Sequence, residues 1–192
     1  RFGAEITQAR LRAQVSSQRL VTLQGPGGSG KTRLAVEVAQ SLREPAAWSA
    51  DVAAAPAFER VAFDRVAFVP LVACEDRVQF LQAIARALQL PGAGADQIDH
   101  LAQALAGQRV LLVLDNFEQL VGRAEGAVLE LLTQLPLLHL LVTSRRSLGL
   151  DGECSLVAEP LGLPPPDAGV AEAASHAAVA LFVDRARAVR SD

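Results

Sequence analysis

A glycine-rich octad near the start of the chain has the residue types and spacing of a phosphate-binding loop. Residues 25–32 read GPGGSGKT and fit the pattern G-x-x-x-x-G-K-[ST] in full. Glycines in such a loop can adopt positive φ, which lets backbone N–H groups point inward around a phosphate. Lys31 would supply a mobile positive charge for the β- and γ-phosphates, and Thr32 a hydroxyl for Mg²⁺. The alternative is a glycine turn beside an ordinary surface lysine. The predicted nucleotide-binding set in this segment is Gly25, Pro26, Gly27, Gly28, Ser29, Gly30, Lys31, Thr32 and Arg33.

An acidic residue that could hold the metal follows a second apolar run. Residues 111–114 are all apolar and lead directly to Asp115. The run predicts a buried strand whose carboxylate emerges at the C-terminal edge of a sheet, beside the phosphate loop. Asp115 would hold Mg²⁺ through water, or it would cap the next helix, and both roles can hold at once.

The residue that would orient an attacking water is less clearly marked. Many ATPases place an acid directly after the metal aspartate, and here that position is Asn116. Glu118 is the nearest carboxylate. It would reach the γ-phosphate through water, or it would be a capping-box acid in the first turn of a helix. A weak base predicts slow hydrolysis.

Polar residues also end the apolar run at residues 138–143. In a parallel sheet they would share an edge with Asp115, so Thr143 or Arg145 could sense the γ-phosphate through hydrogen bonds. The alternative for Arg145 is a solvated loop arginine, which is the expectation for Arg146. The predicted catalytic set is Lys31, Asp115, Glu118 and Arg145, and Thr143 joins the nucleotide-binding set.

The elements that must position these residues alternate between continuous apolar runs and amphipathic helical patterns. This alternation is typical of a parallel sheet covered on both faces, so we predict a three-layer α/β/α fold with a mostly parallel five-stranded sheet. The predicted strands are 20–23, 65–72, 109–114, 138–143 and 154–158. The predicted helices are 4–18, 31–43, 76–90, 96–106, 117–135 and 171–189, with an irregular insertion at 44–63.

The segments group into one domain with flanking pieces. Residues 1–18 form an N-terminal helix and linker, 19–159 the nucleotide-binding domain, 160–170 a proline-rich linker, and 171–192 a further helix. His139 lies inside an apolar strand, where a histidine is more often a satisfied core residue than a ligand.

Composition limits the remaining classes of protein. The chain has 192 residues, 51% hydrophobic and 4% aromatic, with a net charge of −3. These values suit one globular domain and exclude a disordered chain. A pI near 5.7 argues against a basic nucleic-acid module. Two cysteines suit a reducing cytosol, and the longest apolar run, 135–142, is too short for a membrane span, so we expect a cytoplasmic protein. The chain holds 17 arginines but one lysine, Lys31. It has no methionine, even at position 1, which predicts that the chain is a piece of a longer protein.

Four segments together resemble the STAND class of signalling ATPases. They are LVTLQGPGGSGKTRLAVEVA, VLLVLDNFEQL, LLVTSRRSLGLDGE, and AVALFVDRARAV after the proline linker. The similarity covers residues 19–43 and 65–190 and is greatest to the NB-ARC-like nucleotide-binding domains of LuxR-type and AfsR/SARP-like bacterial transcriptional regulators. The first five residues only partly resemble the G-R-E-x-E-L segment of that class, and the 44–63 insertion is long for it.

The resemblance implies an ASCE-type P-loop fold, with an extra strand between the phosphate loop and the metal aspartate that residues 65–72 would provide. It implies tightly bound ATP or ADP with Mg²⁺, used as a switch that hydrolysis resets. It also implies neighbouring domains in the full protein: a helical lid that 171–192 would begin, a winged helix, sensor repeats and a DNA-binding module. The expectation that the nucleotide carries adenine rather than guanine rests on the resemblance.

Three functions follow from these observations. The first is a regulatory switch with slow hydrolysis and nucleotide-dependent self-association, and no direct contact of this piece with nucleic acid or membrane. The second is a catalytic P-loop enzyme, either an AAA+ motor, which should turn over quickly and form rings, or a small-molecule kinase, which should carry lid arginines. The third is a nucleotide-binding module with little or no hydrolysis, which Asn116 keeps open.

Overall fold

A computed structural model describes residues 2–43, 63–90, 97–158 and 169 of the chain. The helices are α1 (Phe2–Ser17), α2 (Lys31–Arg43), α3 (Arg77–Ala87), α4 (Gln97–Ala104) and α5 (Glu125–Gln134). The strands are β1 (Leu20–Gln24), β2 (Arg65–Pro70), β3 (Val110–Asp115), β4 (Leu138–Ser144) and β5 (Cys154–Val157). A 3₁₀ turn, Phe117–Gln119, follows β3.

The five strands form one sheet in which every neighbouring pair is parallel. Their spatial order is β2-β3-β4-β1-β5. Strand β4 therefore lies between the strand that precedes the phosphate loop and the strand that ends at Asp115, with Leu23 in register with Thr143. Because the carboxyl ends of parallel strands meet at one edge, this order brings the ends of β1, β3 and β4 together.

Apolar side chains cover both faces of the sheet. Helices α1 and α2 pack on one face around Val38, Val113 and Leu141. Helices α3, α4 and α5 pack on the other face, where Phe80 stacks edge-to-face on Phe117. All six residues of β3 are buried, which explains why the five that precede Asp115 are apolar. The prediction of a three-layer α/β/α fold is confirmed, with a sheet that is parallel throughout.

Arg19 and His139 make long-range polar contacts that attach the segment between α1 and β1 to α5 and β4. The Arg19 guanidinium donates to the carbonyls of Leu132, Leu135 (2.8 Å) and Leu138 (3.3 Å), at the end of α5 and the start of β4. His139 Nδ1 lies 3.0 Å from two carbonyl oxygens at the end of α1, those of Val15 and Gln18. His139 is thus a satisfied core residue, as expected.

Strand predictions agree with the structure to within two residues at each end, but two expectations need correction. The strand at 65–72 stands between the loop and Asp115 in sequence only, since β2 is the edge strand and β4 occupies the central place. The single helix at 117–135 is wrong. The structure has a 3₁₀ turn and then α5, separated by residues that include Gly122 at φ +87°. A positive φ cannot continue a right-handed helix.

Several predicted segments lie outside the described residues. They are the insertion at 44–63 except Phe63, most of the proline-rich linker, and the helix at 171–189. Phe63 is buried and meets the His139 ring edge-on at 5.0 Å. Within the part of the chain that the structure describes, no helix has the length and hydropathy to cross a membrane.

Candidate nucleotide site

The phosphate loop connects the end of β1 to the first residue of α2. Gly28 and Gly30 have φ of +78° and +83°, which side-chain-bearing residues adopt only with strain. The helix starts directly after them, with Leu34 N–H donating to Gly30 O at 2.9 Å. This geometry gives the loop the positive end of the α2 dipole and a set of backbone N–H groups suited to an anion.

Lys31 lies against its own loop. It is only 8% exposed, and its ammonium donates to the carbonyl oxygens of Gly25 and Pro26, each at 2.8 Å. Burial lowers the pKa of Lys31, and the Arg145 charge lowers it further, while the carboxylates of Glu118 and Asp115 raise it. The Lys31 ammonium therefore interacts electrostatically with two carboxylates, Glu118 and Asp115, and with one further cation, Arg145.

Asp115 is held by hydroxyls from two different elements. Its Oδ1 accepts a hydrogen bond from Thr32 Oγ1 on α2 at 2.7 Å and from Thr143 Oγ1 on β4 at 2.6 Å. Asp115 as a whole is 7% exposed. Asp115 makes these contacts instead of capping a helix, because the residue in the capping position of the following turn is Asn116. The structure thus brings together the loop, Thr32, Asp115 and Thr143.

Asn116 turns the chain sharply after β3. It adopts the left-handed conformation, with φ of 61° and ψ of 50°, and its N–H donates to Thr143 Oγ1 at 3.1 Å. Phe117 then enters the core, which leaves Glu118 on the site side of the turn. Asparagine tolerates this conformation better than most residues.

Glu118 points one carboxylate oxygen at Arg145 and buries the other. Oε1 lies 3.3 Å from Arg145 Nε, while Oε2 is buried with no hydrogen-bond partner. The described contact of Glu118 is this ion pair and not a helix cap. A buried acceptor without a donor is costly, and a ligand or water that donates to it removes the cost. Glu118 Oε2 is therefore suited to receive a polar ligand atom.

Arg145 lies beside the phosphate loop on an exposed stretch of chain. Its side chain is 68% exposed, and its Nη2 would be 3.7 Å from a Cβ added at Gly27. Arg33, in the first turn of α2, pairs with Glu37 at 2.8 Å on the exposed face of that helix. The structure places Arg145 next to the loop, whereas the charge of Arg33 is directed along the helix surface.

Sequence reasoning missed Glu153, which shapes the loop that follows Arg145. Its carboxylate accepts hydrogen bonds from three successive backbone N–H groups, those of residues 148, 149 and 150, at 2.9, 2.8 and 3.4 Å. Successive N–H groups form an anion-binding concavity, which here is filled by the chain's own carboxylate. The available signal was the GLDGE spacing, in which an acid closes a short glycine-containing turn.

The donor set fits a nucleotide and Mg²⁺. A threonine hydroxyl and an aspartate are hard oxygen ligands, which Mg²⁺ prefers. Among the described residues no group of three or more His, Cys, Asp or Glu side chains could hold a metal. A magnesium ion at Thr32 and Asp115 would therefore complete its shell with water and phosphate oxygens, as it usually does in nucleotide sites.

Comparison with known families supports the same assignment. A family described as an AAA domain matches residues 12–150, which include the loop, Asp115 and Arg145. The chain belongs to the AAA domain family. This AAA domain is 34% identical over 185 residues to an uncharacterized protein of Mycobacterium tuberculosis, covering 95% of this chain and 40% of that protein. It is 33% identical over 183 residues to a second protein of that organism, provisionally named an HTH-type transcriptional regulator, covering 94% of this chain and 17% of the relative.

The AAA domain thus spans less than half the length of these curated relatives. Solved structures show the same fold at low sequence identity. The Cdc6p structure from Pyrobaculum aerophilum is 16% identical with a TM-score of 0.59, over 96% of this chain and 49% of that one. The ORC2 structure from Aeropyrum pernix is 18% identical with a TM-score of 0.52, over 82% and 47%. The chain is a P-loop ATPase domain by family and by fold.

Proposed function

We propose that this AAA domain binds ATP or ADP with Mg²⁺ and acts as a slow, nucleotide-dependent switch within a larger regulatory protein. The observation that carries the proposal is the convergence of Lys31, Thr32 and Asp115 at one loop, each already held by hydrogen bonds. A site that is preorganised in this way binds phosphates with little further ordering of side chains.

Each residue has a distinct role in this proposal. Lys31 exchanges its bonds to the neutral loop carbonyls for charge-assisted bonds to phosphate oxygens. Thr32 and Asp115 hold Mg²⁺, which when bound neutralises charge on the β- and γ-phosphates. Arg145 donates to the γ-phosphate from the far side of the loop.

The proposed slow rate follows from the contacts of Glu118. Hydrolysis needs a water that attacks phosphorus as the bond to ADP breaks, with a carboxylate to accept the proton of that water. Glu118 Oε2 is free for this role, but its Oε1 is engaged by Arg145. The ion pair holds the Glu118 side chain toward Arg145, so the carboxylate must share or leave this contact to orient a water, which slows proton transfer.

The same ion pair favours a second candidate, a nucleotide-binding module that hydrolyses little ATP. The finer assignment, a STAND-type domain of a LuxR-type or AfsR/SARP-like regulator in the cytoplasm, is also part of the proposal. It is supported by the relative provisionally named a transcriptional regulator, of which the chain covers 17%. Nucleotide-dependent self-association and contacts with further domains of the full chain belong to it as well.

The test measures binding and turnover in the same preparation. Wild type, Lys31→Ala, Glu118→Gln and the control Arg43→Ala are titrated with a fluorescent ATP analogue in Mg²⁺. Arg43 is the exposed last residue of α2, so its variant controls for loss of a positive charge on the same helix. Loss of charge-assisted bonds should weaken binding by Lys31→Ala by about 10- to 150-fold. Arg43→Ala should bind like wild type.

Turnover separates the two candidates. The switch predicts hydrolysis well below about one per second, the lower end of typical enzymes, and a further drop in Glu118→Gln with binding retained. Equal slow turnover in wild type and Glu118→Gln would favour the binding module. Absence of binding at millimolar ATP with Mg²⁺ would contradict both.

A further inference from the structure

The Thr143 hydroxyl has its one hydrogen and one of its two acceptor positions engaged by protein atoms. The side chain is fully buried in the central strand β4. Its one hydrogen is donated to Asp115 Oδ1 at 2.6 Å, and its oxygen accepts from Asn116 N–H at 3.1 Å. A hydroxyl has one hydrogen to donate, so contact with a phosphate oxygen would require breaking the bond to Asp115.

We propose that Thr143 is a positioning residue that orients the Asp115 carboxylate for Mg²⁺, and that it does not itself contact the nucleotide. The inference rests on the proposed nucleotide binding. It replaces the expectation that Thr143 senses the γ-phosphate with a role exerted through Asp115.

The geometry shows how this works. The hydroxyls of Thr32 and Thr143 both donate to Oδ1 of Asp115, and neither hydroxyl donates to Oδ2. Two donors on Oδ1 fix the rotation of the carboxyl plane, and Oδ2 remains available to the metal or its water. In the proposed site the Thr32 hydroxyl would also coordinate the metal through a lone pair, whereas the Thr143 hydroxyl would not. Thr143 is therefore the donor that belongs to Asp115 alone.

The bond to Asn116 adds a second effect. Asn116 is left-handed, and this conformation directs the chain from β3 toward Glu118. The Thr143 hydroxyl accepts a hydrogen bond from the Asn116 N–H, so this one hydroxyl holds both the Asp115 carboxylate and the turn that follows β3. Buried hydrogen bonds in such a network are stronger than those of exposed groups.

The test compares nucleotide affinity with and without the metal. A fluorescent, non-hydrolysable ATP analogue is titrated into wild type, Thr143→Val and Thr143→Ser, once in excess Mg²⁺ and once in EDTA. Valine keeps the shape and removes the donor, whereas serine keeps the donor. In Thr143→Val we expect the Mg²⁺-dependent gain in affinity to fall by about 5- to 50-fold, the range for one lost buried hydrogen bond, with affinity in EDTA within about twofold of wild type. Thr143→Ser should restore the gain.

The chain offers a matched control in Thr22. This residue is also a fully buried threonine, on the neighbouring strand β1, but its Oγ1 has no hydrogen-bond partner. Thr22→Val should leave the Mg²⁺-dependent gain unchanged. Thr143→Ala removes the same donor with less bulk and replaces Thr143→Val if that variant does not fold, as judged by thermal unfolding.

The outcomes separate the inference from the proposed function. If wild type binds no nucleotide, the proposed function fails and the inference falls with it. If wild type binds and Thr143→Val weakens binding of the ATP analogue equally in Mg²⁺ and EDTA, Thr143 contacts the nucleotide directly and the inference is wrong. An unchanged Mg²⁺-dependent gain in Thr143→Val would overturn it as well.

Discussion

Arg19 provides a test of how the domain is held together around the phosphate-loop strand. Its guanidinium donates to three backbone carbonyls, those of Leu132, Leu135 and Leu138, although it lies more than a hundred residues away in sequence. The first two are near the end of α5, where carbonyls lack partners within the helix. Arg19→Ala removes three charge-assisted bonds at once.

The expected cost follows from these contacts. A hydrogen bond to a charged group contributes about 1.5–3 kcal/mol, but Arg19 is half-buried and water replaces part of what is lost. We therefore expect Arg19→Ala to lower the free energy of unfolding by about 2–4 kcal/mol, less than the simple sum of three bonds. The free energy of unfolding of Arg19→Lys should lie between those of wild type and Arg19→Ala, because an ammonium keeps the charge but cannot span three carbonyls as a planar guanidinium does.

Urea unfolding with a matched control measures the difference. Arg77 forms an ion pair with Glu130 at 2.6 Å, with both side chains more than 40% exposed. Such a pair contributes about 0.2–1 kcal/mol, so Arg77→Ala should cost little. If Arg19→Ala cost no more than Arg77→Ala, the three carbonyl contacts would not be stabilising the domain and the reasoning would be refuted.

Two further predictions concern a half-buried histidine and a surface turn. Burial lowers the pKa of His139 below the ordinary 6.5, so the unfolded chain takes up a proton at a higher pH than the folded protein does. The free energy of unfolding should fall as pH drops below 6.5, by up to about 1.4 kcal/mol per pH unit, and His139→Gln should lose this slope in urea titrations at pH 7.5 and 5.5. Glu153→Gln replaces a double acceptor with a group that has one acceptor oxygen, so it should cost about 1–3 kcal/mol and speed hydrogen exchange of the amides of residues 148–150. Glu130→Gln is the exposed control, and equal exchange in both variants would contradict the role of Glu153.

The sequence predicted the elements better than their arrangement. Apolar runs marked the strands most clearly at β1, β3 and β4, because a strand covered on both faces has no exposed side to carry polar residues. The edge strands β2 and β5 keep exposed residues. The order of the strands in the sheet could not be predicted from the sequence, since no local feature of residues 138–144 indicates that they lie between β1 and β3. The long helix predicted at 117–135 failed at Gly122, where backbone conformation and not hydrophobic spacing ends the helical path.

The site was predictable where one segment supplies the chemistry and less so where contacts join distant segments. Lys31, Thr32 and Asp115 come from contiguous motifs, and the structure brings them together. The hydroxyl of Thr143 was recognised as near the site, but its engagement with Asp115 depends on sheet register. The partners of Arg19 are backbone carbonyls far away in sequence, which no residue type marks, whereas the local GLDGE spacing was a signal for Glu153.

The single lysine makes the phosphate loop chemically addressable. Every other basic side chain in these 192 residues is an arginine or a histidine, so reagents selective for amines find one side chain, that of Lys31. Reductive methylation with a carbon-13 label would give one lysine resonance, whose shift reports on the environment of the ammonium. In this chain, occupancy of the loop could be followed at one atom, without mutating any residue to create a probe.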